Sequence, residues 1–131
     1  MAANYNGHTK TAGLGYNCEQ SLGINVHSCL LLTPCGISLG LLAQSAITRK
    51  ERNSAGKSHH EKRNRPIEEK ESYRWLETIQ TAARNAPAQS TLVHIADREG
   101  DIYELFALAH KMDEKFVIRA VHNRLTSEKW L

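Results

Sequence analysis

The stretch Thr91–Leu105, TLVHIADREGDIYEL, decides the fold of this 131-residue chain. Its first part, Thr91–Ala96, is a short apolar run of β-formers, which is typical of a strand covered on both faces of a sheet. Asp97 follows directly. Asp101 and Glu104 have the spacing of an Asp capping box, which predicts that a helix begins there. The stretch therefore predicts strand, turn and helix, with a carboxylate at the end of the strand.

Asp97 is the candidate functional residue, because ligands of open α/β sheets collect at the carboxyl ends of strands. The alternative is a structural carboxylate in a turn or cap. Asp101 is the better cap by position, so capping does not require Asp97. Val93 and Ile95 share the strand face of Asp97, and Arg98-Glu99 adds polar groups beside it. These features favour Asp97 as a metal ligand.

The rest of the chain supplies the other elements of an α/β domain. The predicted segments are a loop over 1–20, a β-hairpin over 24–49, a basic loop over 50–65, a helix over 66–85 and a strand–helix–strand unit over 91–121. Pro66 suits the first turn of the helix. Gly40 is a candidate bulge in the hairpin. The strand–helix–strand order predicts a parallel pair with a right-handed crossover.

The composition of the chain limits the classes of function that it can have. A net charge of +3 permits nucleic-acid binding without requiring it. Cys18, Cys29 and Cys35 contain no C-x-x-C pair, so we expect reduced, buried thiols. No apolar run reaches the roughly 18 residues that a membrane helix needs, and the first residues lack the apolar core of a signal peptide. We expect a cytoplasmic protein.

The basic loop is the second candidate region. Residues 49–65 hold seven basic and two acidic side chains. Lys62, Arg63 and Arg65 are candidates for contact with DNA phosphates, which needs charge and flexibility, and a solvated connector is the alternative. His59-His60 lacks a second ligand pair at zinc spacing, so we reject a zinc site. His27 is interpreted as a core histidine.

Three motifs in order resemble one enzyme family. IADREGDIYEL, preceded by EEKESYRWL and followed by FVIRAVHNR, resembles the catalytic core of the cut-and-paste DDE transposases of bacterial insertion sequences. The resemblance runs from about Tyr5 to Arg124. It implies a ribonuclease-H-like core in which Asp97 matches the second of three catalytic carboxylates. It also implies a bacterial, nucleoid-associated protein that binds double-stranded DNA at transposon ends.

Two of the family's three carboxylates have no counterpart in this sequence. Tyr5–His8 resembles the stretch downstream of the first catalytic Asp, which is therefore expected about one residue before Met1. Nothing after Leu125 resembles the signature around the family's Glu. The expected fold is a partial ribonuclease-H-like core of hairpin, helix, strand, helix and strand. It lacks the first central strand, and its exposed strand edges favour self-association.

The family's cofactor is Mg²⁺ or Mn²⁺, held by carboxylate oxygens. A single Asp does not hold two such ions, so we expect the isolated chain to be inactive and not necessarily to bind metal. Glu99 and Asp101 have local roles in the predicted turn and cap. The alternative is that they form a weak single-ion site with Asp97.

Arg119 lies inside the predicted strand FVIRAV, where a charge is costly unless it is paired. One interpretation is a salt bridge to Glu99 or Asp97. The other, favoured by the family's Arg at this position, is contact with DNA phosphates. His122 and Arg124 extend the same basic edge.

These observations leave three hypotheses. The first is a truncated DDE transposase core, from a parent that cleaves and joins DNA. The second is a non-catalytic DNA-binding or subunit-interfering remnant. The third is an unrelated α/β domain in which Asp97 is structural.

Overall fold

The structure is a computed structural model that describes residues 2–5, 12–16, 21–48 and 65–123. It is a mixed α/β fold with a four-stranded antiparallel sheet, a two-stranded parallel sheet and two α-helices within those ranges. The chain divides into two compact units, Met1–Lys70 and Glu71–Leu131. None of the helices in the described ranges is long and apolar enough to cross a bilayer.

The first unit is an antiparallel sheet built on one long hairpin. Its two long strands are β3 (Leu22–Leu32) and β4 (Ser38–Ile47), which lie where the sequence predicts a hairpin. Two short strands, β1 (Ala2–Asn4) and β2 (Gly15–Tyr16), pair with the start of β3. They lie within residues 1–20, where the sequence predicts only loop. Such short strands form through pairing with a distant partner, so the local sequence carries no period that marks them.

The hairpin turn and bulge follow the glycine pattern. The Gly36 N–H donates a hydrogen bond to the Thr33 carbonyl at 2.9 Å, and Gly36 has a φ of +85°. Gly40 has a φ of +130° and pairs with Leu31, next to a register shift between Leu31 and Leu32. Glycine adopts these positive φ angles without the clash of a Cβ atom. The turn that the predicted hairpin requires is present, and the predicted bulge at Gly40 is confirmed.

The cysteines differ from the expected buried thiols. Cys29 lies half-buried in β3, and burial raises the pKa of its thiol. Cys35 is exposed, because it lies in the hairpin turn instead of in a strand. The predicted burial is therefore wrong for Cys35. Cys18 lies outside the described residues.

The second unit holds the strand–helix–strand motif. Helix α1 (Tyr73–Asn85) precedes strand β5 (Val93–Ala96), helix α2 (Tyr103–Lys111) and strand β6 (Lys115–Ile118). β5 and β6 pair in parallel, with Ala96 opposite Ile118 at their carboxyl ends. The predicted parallel pair is confirmed, and β6 is shorter than the predicted strand.

The helix predicted over residues 66–85 begins at Tyr73. Pro66 instead precedes a single 3-10 turn, Ile67–Glu69, and Lys70 then takes an extended backbone with φ −91° and ψ 145°. The fixed φ of proline suits the first turn of either helix type, so the sequence signal is real but does not specify the type. The end of the helix at Asn85 is as predicted.

The core of the second unit is formed by α1, α2 and the inner face of the parallel pair. α1 and α2 contact each other, and α2 contacts β6. The Phe106 and Phe116 rings stack with centroids 5.2 Å apart. The residues buried in this core are Leu76, Ile79, Ala82, Leu105 and Ala109.

The outer face of the parallel pair is exposed and apolar. Val93, Ile95 and Val117 are 53%, 79% and 60% exposed. The prediction that this strand is covered on both faces is therefore wrong for the described structure, since only the face toward α2 is packed. Self-association stays a prediction, and this face is apolar surface that it would bury.

Gly100 packs closely against the carboxyl end of β5. It is buried at the end of the turn after Asp97, and a Cβ added there would lie 2.9 Å from the Ala96 Cβ. The same atom would meet Ile118 at 3.6 Å and Leu105 at 3.8 Å. The first distance is a steric clash with a rigid methyl group, whereas the other two are ordinary contacts. Glycine thus lets the turn pack against the carboxyl end of β5.

We predict that Gly100→Ala lowers the free energy of unfolding by about 1–3 kcal/mol, the usual cost of overpacking. Urea denaturation monitored by circular dichroism measures the change. The matched test is Ala96→Gly, which removes the clashing methyl group. The double variant should lose less stability than the sum of the two single variants. Strict additivity would show that this contact does not limit the turn.

Candidate functional site

Asp97 lies directly after the carboxyl end of β5, as predicted, and its side chain is exposed. Its Oδ1 accepts a hydrogen bond from the Glu99 N–H at 2.9 Å and so caps the 3-10 turn Arg98–Gly100. The expectation that capping does not require Asp97 is therefore wrong, and the alternative of a turn or cap carboxylate describes this bond. A two-residue reach from Asp side chain to backbone N–H is a common local bond in turns. It occupies one carboxylate oxygen.

Arg119 lies beside Asp97 at the same edge of the sheet. β6 ends at Ile118, and the Arg119 N–H donates to the Ala96 carbonyl at 3.1 Å. Ala96 is opposite Ile118, so Asp97 and Arg119 are the residues that directly follow the ends of the neighbouring strands β5 and β6. Arg119 is exposed and not inside a buried strand, so the desolvation cost expected for it does not arise.

The salt bridge proposed between Arg119 and Glu99 or Asp97 is not formed within the described residues. Glu99 instead pairs with Arg74 of α1, at 2.7 Å between Oε2 and Nη2. The Arg74 guanidinium also contacts Glu71 at 2.9 Å. The Glu99 side chain is 61% exposed, so this pair contributes little to stability. It does leave Arg119 available for other partners.

Asp101 has a role that the sequence did not predict. It is only 4% exposed, and its Oδ2 accepts hydrogen bonds from the backbone N–H groups of Val121 at 2.7 Å and His122 at 2.9 Å. The N-cap of α2 is Ile102, without a side-chain cap bond. The prediction of an Asp101 capping box is therefore wrong. Capping patterns are local in sequence, whereas these donors come from the far side of β6.

The other predicted DNA contacts fall into three groups. His122 is exposed at the carboxyl edge with Arg119. Arg65 is half-buried and belongs to the first unit. Lys62, Arg63 and Arg124 lie outside the described residues, as does His59-His60. The structure thus places Arg119 beside Asp97, ties the His122 backbone to Asp101, and does not test the basic loop.

The described residues do not fit the metal site of the resembled family. Within the described ranges, no group of three His, Cys, Asp or Glu side chains could hold a metal ion. Glu99 faces Arg74, and Asp101 is engaged by two backbone amides. The weak single-ion site of Asp97, Glu99 and Asp101 is therefore not supported. Asp97 is the one exposed carboxylate of the three without a cationic partner among the described residues.

Comparisons with known proteins leave the family open. No protein-family model matches the chain, and a search of curated proteins finds no match. The resemblance to DDE transposases rests on the quoted motifs and stays a prediction.

Substitution of Asp97 separates its capping bond from its charge. We expect Asp97→Ala to cost about 0.5–2 kcal/mol of unfolding free energy, the range for loss of a capping side chain. Asp97→Asn keeps a carbonyl oxygen that accepts from the Glu99 N–H. Its loss of unfolding free energy should therefore be only a few tenths of the loss caused by Asp97→Ala. Urea denaturation of both variants measures the difference. Equal losses would mean that charge, and not the turn bond, determines the stability contribution of Asp97.

Proposed function

We propose that the chain is part of the catalytic core of a DDE transposase, with the partial ribonuclease-H-like fold that this class implies. The observation that carries the proposal is the placement of Asp97. It is an exposed carboxylate at the carboxyl end of β5, in a parallel strand–helix–strand unit, beside Arg119. This edge is where open α/β sheets bind their ligands.

The proposed ligand of this edge is the DNA backbone. Arg119, Arg98 and His122 are exposed there, and no ion pair occupies either guanidinium in the described part of the chain. Arginine binds phosphate oxygens through paired N–H groups, which positions a protein on DNA without selecting a sequence. Glu99 is paired with Arg74 and therefore does not neutralise Arg119.

In transposases of this class, three carboxylates hold divalent cations that activate the attacking oxygen and stabilise the leaving oxygen. Asp97 would contribute one ligand to such a site. The proposal therefore requires further carboxylates that do not belong to the described residues. For the isolated chain we expect DNA binding without strand cleavage.

The second candidate function is a non-catalytic DNA-binding or subunit-interfering module. A specific observation favours it. Glu99 and Asp101, the carboxylates closest to Asp97 in sequence, are committed to Arg74 and to backbone amides. A module of this kind needs the basic edge but not a metal ligand set. The two candidates share DNA binding through Arg119 and differ in whether the Asp97 carboxylate has a role.

We predict that Arg119→Ala weakens binding to a short DNA duplex and lowers the salt dependence, because one phosphate contact is lost. The slope of log affinity against log salt should fall by about 0.9. Fluorescence anisotropy over a series of salt concentrations gives both quantities. Arg84→Ala is the matched control, since it removes an exposed arginine from the end of α1 in the same unit.

Equal effects of Arg119→Ala and Arg84→Ala would indicate general charge attraction and no site at the sheet edge. Absence of binding by the unsubstituted chain at low salt would contradict both candidate functions. The third hypothesis, an unrelated α/β domain, would then be favoured.

A Mn²⁺ titration distinguishes the two candidates. If Asp97 is a metal ligand, Mn²⁺ should broaden the amide NMR signals of Arg98 and Glu99 first, and Asp97→Asn should remove this effect. Asp113→Asn is the control, because Asp113 is also exposed and lies in the turn before β6. If Asp113→Asn removes the signal broadening, or if Asp97→Asn leaves it unchanged, the non-catalytic module is favoured.

A further inference from the structure

Asp101 is the buried carboxylate among residues 71–123, and two described hydrogen bonds of its side chain come from the segment after β6. Its Oδ2 accepts from the N–H groups of Val121 and His122, at 2.7 and 2.9 Å. A carboxylate that is 4% exposed would be strongly destabilising without donors. Bonds from N–H groups to an ionised oxygen are short and stronger than neutral ones. The two amides therefore hold the Asp101 carboxylate in place, and the carboxylate in turn holds the backbone at Val121 and His122.

The position of the segment after β6 depends on these two hydrogen bonds. β6 ends at Ile118, and the bond from the Arg119 N–H to the Ala96 carbonyl is the last one that continues the parallel pairing. Residues 120–123 form no helix or strand. Asp101 supplies an acceptor to two consecutive amides in this irregular segment. It holds the segment against the turn that begins at Asp97.

The turn links the two aspartates. Asp97 caps it at one end, and the Asp101 N–H donates to the Arg98 carbonyl at 3.3 Å at the other. Gly100 keeps the turn close to β5. The exposed carboxylate and the segment that carries the basic side chains are thus connected through one short turn.

We propose that Asp101 is a positioning residue, which sets where Arg119 and His122 lie relative to Asp97 and thereby the strength of contact with DNA phosphates. This inference rests on the proposed function for its DNA component. Its structural component, the hold of Asp101 on the backbone of Val121 and His122, rests on the two hydrogen bonds. The two components have separate measurements.

The structural component is tested on the full chain by amide NMR and hydrogen exchange. In the unsubstituted chain, the amides of Val121 and His122 should exchange more slowly than those of Ala120 and Asn123. Asp101→Asn retains an acceptor oxygen and should keep most of this protection, whereas Asp101→Ala should abolish it. Equal exchange of all four amides in the unsubstituted chain would overturn the proposal even if the Ala variant failed to fold.

The DNA component is tested by duplex binding in a double-mutant cycle. Asp101→Ala should weaken binding about tenfold, as for one lost charge-assisted contact, and Asp101→Asn should restore most of the affinity. The double variant with Arg119→Ala should bind no more weakly than the weaker of the two single variants, because both changes remove the same contacts.

Full additivity in this cycle, or normal affinity in a folded Asp101→Ala chain, would overturn the positioning role. Failure of the proposed function has a different signature. The unsubstituted chain would not bind the duplex, while the protection of Val121 and His122 by Asp101 would still be measurable. In that outcome, the DNA component of the proposal is rejected, and the hydrogen-exchange measurement alone tests the structural component.

Discussion

The second unit depends on the requirement that a buried carboxylate must be satisfied by donors. Asp101 is almost fully buried and meets this requirement with two backbone amides from the segment after β6. The bond ties the start of α2 to the end of β6, which are separated by the whole helix in sequence. It fixes the backbone at Val121 and His122, whereas the Arg119 backbone is held by its own hydrogen bond to the Ala96 carbonyl. Asp97 lies at the opposite end of the same turn.

This arrangement explains why three neighbouring acidic residues have different roles. Asp97 is exposed and caps a 3-10 turn through one oxygen. Glu99 is exposed and pairs with Arg74, whereas Asp101 is buried and bonds to amides. Their burial and partners, and not their spacing, determine which of them is available to a ligand. By that criterion Asp97 is the candidate ligand of the group.

The sequence predicted what is local and periodic. The β3–β4 hairpin, its bulge at Gly40 and the parallel strand pair carry their own patterns, and each is present. The position of Asp97 at a strand end followed from the change from apolar to polar residues. These features depend on residues within a few positions of one another, which a single sequence displays directly.

The remaining features depend on distant partners, so the sequence could not predict them. The Asp101 spacing matched a capping box, but its donors lie 20 and 21 residues farther along the chain. β1 exists only through pairing with β3, and the Pro66 signal did not distinguish a 3-10 turn from an α-helix. Exposure of the outer face of β5 likewise depends on what packs there and not on the apolar run itself.

The carboxyl edge of β5 and β6 is the proposed DNA-binding surface of the chain. The most direct measurement is an amide NMR titration of the full chain with a short DNA duplex. Signal changes should concentrate on residues 97–101 and 119–123 and leave the end of α1 unaffected. Changes confined to other regions, or none under low-salt conditions, would contradict the account.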